Sequence, residues 1–293
     1  MAADGSVCRF YYLLRKAIAM VKIVDVSSLE DLLPLLTQQN YNRIIDRHRS
    51  SYLYRGMPDA SFHLVTSLHQ NCKHQAKTIE PSIIRNFTKY AAIEDPSIES
   101  SVWRQIILGR HHGLPTRLLD WSYSPLIALN FAVSEQDLTR MDLHDCVVWR
   151  MDMAELHGML PRKYQNIRRA TKSTAFTVDM LKEVAPTLQQ YDADMGSSSM
   201  VVVEPPSIDP RIVNQYSFFS VIPSDMEDIE GYLNENTEHT VKYIIHKELR
   251  WRLRDMLDQL NINERIVYPG LDGLSAWLAR YYYVKDLNKE DTL

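Results

Sequence analysis

The sequence predicts an α+β fold, and three observations carry that reading. Helical periodicities crowd the earlier part of the chain, short β-branched and aromatic segments crowd the later part, and the regular strand and helix alternation of a doubly wound sheet is missing. No repeat or low-complexity tract is visible. At 293 residues and 45% hydrophobic, the chain can bury a substantial core without disulfide or metal staples. No linker divides it convincingly. The expected organisation is a helical extension over residues 1–23, one domain over 24–283 and a short tail over 284–293.

The opening CRFYYLLRKAIAMVK is basic and apolar in the manner of a transit peptide, but it lacks serine enrichment and its aromatic neighbours suit a docked helix. VSSLEDLLPLLTQQNYNRIIDRH then reads as helical, capped by Ser27 or Ser28, with Leu29, Leu32, Leu33 and Leu36 at helical spacing and Pro34 as a kink or break. SYLYRGM has the look of a short strand ending at a glycine. Amphipathic spacing predicts helices from Ile79 to Ala92 and from Val102 to Leu108. Ser124 and Pro125 form a cap and first-turn pair ahead of a helix lined by Leu126, Leu129 and Val133. DCVVWRMDM, SSSMVVVEP, NQYSFFSVIP and VKYIIH read as strands, YDADMGSSS near 191–199 as a surface loop, and ELRWRLRDMLDQL and LDGLSAWLARYYY as helices.

Composition narrows the function without choosing it. Cys8, Cys72 and Cys146 are odd in number and widely separated, which fits a reducing compartment: cytoplasmic, with the nucleus left open. A formal charge of −4 supplies no global field for nucleic acid, although 33 lysines and arginines leave room for a local patch. No run of about 18 apolar residues spans a bilayer, so no membrane role is expected. His63, His69, Cys72 and His74 match no zinc spacing, and no metal site is expected. Rossmann, P-loop and G-x-S-x-G motifs are absent.

One stretch stands apart. RHHGLPTRLLDWSYSPLIALNFA, residues 110–132, packs two histidines, two arginines, an aspartate and a tryptophan ahead of an ordinary helix. A connecting loop has no need for so dense a cluster. The stretch HHGLPTRLLDW followed by a serine and proline opening a helix, together with Tyr54, Arg55 and Gly56, resembles the FRG domain family. RIVNQYSFF at 211–219 and NINERIVYPGLDGLSAWL resemble its later segments, so that the likeness runs over about residues 24–283. The chain departs from the family at Tyr54 for phenylalanine, Arg110 for glutamine and Ser217 for glycine. Arg110 adds a positive charge.

The order of an arginine–glycine strand end, a serine segment entering a helix and a later polar strand residue is similar, more distantly, to the arginine, serine, glutamate class of ADP-ribosyltransferases. That resemblance implies a split β-sheet core with N-terminal and peripheral helices, NAD as substrate, and transfer of ADP-ribose to a protein or nucleic-acid acceptor. It implies that Arg55 grips the pyrophosphate or ribose, that the Gly56 backbone pairs with the nicotinamide amide, that Ser122 or Ser124 supports the site, and that Gln215 takes the glutamate position. His111, His112, Thr116, Arg117 and Trp121 complete the expected binding set.

The chemistry wants these residue types. Cleaving the nicotinamide–ribose bond develops positive charge on the sugar, so a site must hold the diphosphate and stabilise an oxocarbenium-like state. Arginine forks suit the first task. Gln215 carries no charge, which makes Asp120 the candidate for the missing anion. Structural roles stay open beside these: Arg55 and Arg117 as arginines serving helix ends or pairing with Asp120, one histidine as a cap, Trp121 as a core anchor, Gln215 as a cross-sheet hydrogen bonder. A non-catalytic nucleotide-binding or interaction module, or a nucleic-acid-binding protein, is the alternative function.

Overall fold

Alternating apolar residues set the strands, and a computed structural model, described over residues 21–43 and 45–285, shows where they pair. Seven strands form one sheet in the order β1 (Lys22–Val26), β9 (Val241–Ile245), β6 (Cys146–Asp152), β4 (Tyr52–Met57), β5 (Leu118–Ser122), β8 (Ser217–Val221) and β7 (Val201–Val203). The β1/β9 pair is parallel and the others are antiparallel. A separate hairpin joins β2 (Asn40–Asn42) to β3 (Arg47–Arg49). The helices are α1 (Leu33–Thr37), α2 (Ser67–Cys72), α3 (Ala76–Ala91), α4 (Val102–His111), α5 (Pro125–Ala132), α6 (Met153–Gly158), α7 (Arg162–Thr171), α8 (Val178–Val184), α9 (Leu188–Met195), α10 (Pro210–Asn214), α11 (Ile229–Asn236), α12 (Arg250–Gln259), α13 (Glu264–Val267) and α14 (Leu271–Tyr281). The α+β class holds. No helix among the described residues is long and apolar enough to cross a membrane.

Both faces of the sheet are covered, which is why β6 is buried at every position. Cys146 and Val148 join Tyr52, Tyr54, Tyr243 and Ile245 in packing under α1, α5 and α12. Val147, Trp149 and Met151 face the other way, toward Leu53, Trp121 and the Ile229 and Leu233 side of α11. A third core lies beneath β5, β8 and β7, where Leu118, Phe219 and Val201 meet Trp103, Tyr164 and Tyr191 of α4, α7 and α9.

The sheet is nearly cut in two at its centre. β4 pairs with β6 along its whole length, but it meets β5 at the single position Tyr54↔Ser122. Past that point Arg55 Nη1 donates 2.9 Å to the Asp120 carbonyl, where a ladder bond would otherwise run. On the neighbouring face α5 comes directly against β4: a Cβ built on Gly56 would lie 1.8 Å from Ala128 O and 2.6 Å from Ala132 N. Glycine is required there by close approach of backbone.

Several expectations are corrected. The stretch from Val26 to His48 is not one helix. Ser27 and Ser28 donate their backbone N–H groups to Asp31 instead of capping, a short 3-10 turn over Glu30–Leu32 leads into α1, and Pro34 sits in the first turn of α1. The chain then turns into the β2–β3 hairpin. Strands are not confined to the later part, because β1, β4 and β5 come early, and LLDWS is a central strand where a loop was expected. YDADMGSSS is mostly helix: Thr187 caps α9, Tyr191 is fully buried, and Gly196 at φ 54° ends it. Helices α6 to α8 carried no clear signal in their polar, mixed sequence. The expected N-terminal helix lies outside the described residues, and β1 runs across the boundary drawn between 23 and 24.

Two tests follow from this packing. Gly56→Ala should lower unfolding free energy by about 1–3 kcal/mol or more, as overpacking against backbone does, while Gly158→Ala, with open space around its Cβ position, should not; urea denaturation separates them. The second concerns His157 on α6, whose ring stands edge-on to Phe176 at 5.5 Å. Burial, with the Arg168 charge adding to it, pushes its imidazole down to about 4 from the ordinary 6.5. Below about 6.5 the unfolded chain takes up a proton that the folded chain refuses until about 4, so stability is complete above that window and falls as pH drops through it. The loss is about 3 kcal/mol, and denaturation of His157→Phe across pH 4–7 should show that part of the slope removed.

Candidate functional site

The gap between β4 and β5 opens into a cavity of about 590 Å³, of ordinary size for a small-molecule site. β4 contributes Tyr54, Arg55 and Gly56, β5 contributes Asp120, Trp121 and Ser122, and the end of α4 contributes Arg110 and the His111–Gly113 turn. The far wall comes from Arg211 and Ile212 of α10, Gln215, and Ser217 and Phe219 of β8, with Phe131 of α5 closing one side.

Electrostatics organise the floor. Asp120 accepts from Arg110 Nε at 3.0 Å and Arg110 Nη2, and Arg55 Nη1 lies 3.4 Å from its second oxygen. Burial pushes the carboxyl up, but the Arg110 hydrogen bonds and charge, with Arg55 behind them, outweigh it and hold Asp120 below the usual carboxylate range. The same pairing raises Arg110 against its own burial, whereas burial wins at Arg55 and lowers it. Arg110 Nη1 also donates to Ser67 Oγ at 2.9 Å, fixing the guanidinium plane. At the opposite wall Arg211 lies 4.8 Å over the Tyr268 ring and has no carboxylate partner among the described residues. Three arginines against one aspartate leave the cavity cationic.

The predicted residues divide. Arg55, Gly56, His111, His112, Asp120, Trp121, Ser122 and Gln215 line the shared cavity; Thr116, Arg117 and Ser124 do not. Arg117 is a core arginine. Its guanidinium meets Glu80 through Nε at 2.8 Å and through Nη2, and Asp192 through Nη1 at 2.6 Å, all largely buried. Those two carboxylates raise it despite burial. Alternation along the chain puts Arg117 on the helix-covered face, away from the gap. Thr116 is buried and holds α2, accepting from Leu68 N and donating its own N–H to Ser67 Oγ. Ser124 caps α5 through Ile127 N.

The lining residues are also tied down. Trp121 is 3% exposed and donates Nε1 to Ser220 Oγ, so it is a core anchor with one edge at the cavity. Ser122 donates Oγ to the Gln215 carbonyl at 2.7 Å, which staples β5 to the far wall. Gln215 caps the end of α10, where a strand position was expected, and donates Nε2 to Val267 O while Asn214 bonds Ile266 O. Its side-chain oxygen can act as an acceptor only. His111 Nε2 lies 3.3 Å from Asp209, and its ring meets His112 edge-on. Among the described residues no group of three or more His, Cys, Asp or Glu is placed to hold a metal.

Sequence reasoning did not put Tyr54, Arg110, Phe131, Arg211, Ile212, Ser217 or Phe219 in the binding set. Arg110 had a signal in its departure from the family pattern. Arg211 had only its place at the head of the later motif.

These elements define a polar, arginine-lined cavity in an α+β domain, and part of it falls in a segment similar to a known family. The FRG domain family model matches residues 50–140 of the chain. The match runs from just before β4 to beyond α5 and so contains the cavity floor, but not the wall formed by residues 211–219. No curated protein and no solved structure matches the chain.

Arg117→Met should cost about 3–5 kcal/mol in chemical denaturation, because it strands the buried Glu80 carboxylate. Arg55→Met, which leaves Asp120 paired with Arg110, should cost about 1 kcal/mol.

Proposed function

We propose that the protein is an NAD-dependent ADP-ribosyltransferase that breaks the nicotinamide–ribose bond and passes ADP-ribose to a macromolecular acceptor. The observation that carries this reading is the convergence of Arg55, Arg110 and Arg211 on one cavity that opens where the sheet splits, beside the amide of Gln215. A dinucleotide diphosphate is the ligand class that such a cationic, fork-lined space suits best. The divided sheet is in keeping with the split-sheet core that the class has.

In this reading Arg55 and Arg110, already oriented by Asp120, bind phosphate oxygens, and Arg211 on Tyr268 approaches from the other wall. Gln215 accepts a hydrogen bond from a ribose hydroxyl. The C1′–N bond breaks with its electron pair leaving on nicotinamide, the acceptor lone pair forms the new bond at C1′, and the acceptor proton departs to solvent or a cavity base. Asp120 is neutralised by two arginines. It therefore acts by positioning those arginines, and the role of free anion beneath the sugar first considered for it is reassigned.

That same saturation of Asp120, with a neutral Gln215, favours a second reading: a nucleotide-binding module without turnover. Incubation with NAD, followed by mass spectrometry of free nucleotides and of protein and nucleic-acid fractions, distinguishes them. Release of nicotinamide that falls by about 100-fold or more in Arg55→Ala is the expected result. Calorimetric binding of ADP-ribose with no nicotinamide release would instead establish the second reading.

A further inference from the structure

The β2–β3 hairpin stands outside the matched FRG segment and has no part in the cavity, yet it is strongly basic in a chain whose net charge is −4. Within ten residues it carries Arg43, Arg47 and Arg49, all exposed and none with a carboxylate partner among the described residues. Its one acid, Asp46, accepts from the Tyr41 hydroxyl. Register sorts the side chains by face. Arg47 and Arg49 fall on one face, while Tyr41 stands opposite His48 on the other, their rings 5.3 Å apart. Asp46 is thus drawn toward the aromatic face, and the arginine face is left uncompensated.

A two-stranded ribbon presenting guanidinium groups on one side is suited to nucleic acid. Arginine forks match phosphates and guanine edges. Arg47 and Arg49, two residues apart on one strand, are about 7 Å apart, on the scale of successive phosphates in an extended strand. The ribbon is also joined to the cavity. Tyr123, the residue after Ser122, donates its hydroxyl to Ser50 O at 2.9 Å, and Ser50 directly follows Arg49. From Arg49 to Arg55 the chain covers about 20 Å of extended backbone, a few nucleotides in length.

From this we infer that the β2–β3 hairpin grips the backbone of a nucleic acid, which makes nucleic acid the acceptor class delivered to the cavity; the delivery, though not the grip, rests on the transferase reading. Fluorescence anisotropy of the full chain with labelled single-stranded and duplex 20-mers, titrated from 50 to 300 mM salt without NAD, tests the grip. The triple variant Arg43→Ala, Arg47→Ala, Arg49→Ala should bind at least about 10-fold more weakly and lose about 2 to 3 from the slope of log affinity against log salt. Its nicotinamide release in the absence of nucleic acid should equal that of the wild type. A charge-matched variant elsewhere, Arg162→Ala, Arg169→Ala, Lys182→Ala, should leave binding unchanged. Equal loss in both variants, no loss in the hairpin variant, no oligonucleotide binding at all, or equal affinity for polyglutamate or phosphatidylserine vesicles would each overturn the inference. If the wild type binds oligonucleotides through the hairpin but releases no nicotinamide, the transferase reading fails and the grip stands.

Discussion

The clasp of Asp120 between Arg55 and Arg110 is the interaction on which the rest of the cavity depends. Two guanidinium groups brought together in a half-buried cleft repel strongly, and a counter-charge between them reverses the sign. Here that charge sits on β5, one guanidinium on β4 and the other on the last turn of α4. The ion pairs therefore join three elements at the point where the sheet's own hydrogen bonding lapses. Arg55 adds a bond to the Asp120 carbonyl, so the side chain takes over part of the work of the ladder.

A gap of this kind is tolerable only if the elements on either side are held independently. On one side, β4 is fixed by β6 and by α5 lying against Gly56. On the other, β5 is held by β8 and by the Arg117, Glu80 and Asp192 network, which ties it to α3 and α9. The two histidines and Arg110 are carried into place by α4, whose Trp103 and Ile106 are embedded in the same core. The arginines thus divide by face: Arg117 packs among the helices, and Arg55 and Arg110 face the gap.

Much of this was legible in the sequence, for physical reasons that differ by element. Ser124 and Pro125 announce the start of α5 because cap chemistry is local. DCVVWRMDM was plain because a strand covered on both faces is mostly apolar, with Arg150 and Asp152 the polar exceptions within β6. LLDWS was hidden by its setting, since the glycine, proline and charged residues around it have the composition of a loop while Leu118, Leu119 and Trp121 do the burying. The hairpin at 40–49 was overridden by the helical spacing of the leucines before it, and α9 by a glycine and serines that only end it. Of the cavity-lining residues, Arg55 and Gln215 were proposed from motif order and Asp120 from the need for an anion beside an uncharged Gln215. Arg117 was misplaced because one residue of register decides which face of a strand a side chain takes, and motif order contains no register. Arg211 was missed because its relevance comes from a fold that brings α10 across from β4.

Gln215 and Asn214 are bonded to the carbonyls of Val267 and Ile266, and Arg211 rests on Tyr268. The matched segment of residues 50–140 therefore supplies only one side of a mould; the other side is borrowed from chain more than 70 residues beyond it and braced by the C-terminal helices. A half-mould of that sort is finished only when the distant wall docks onto it, so a segment cut down to residues 50–140 would keep the arginine and aspartate floor and lose the surface that encloses it.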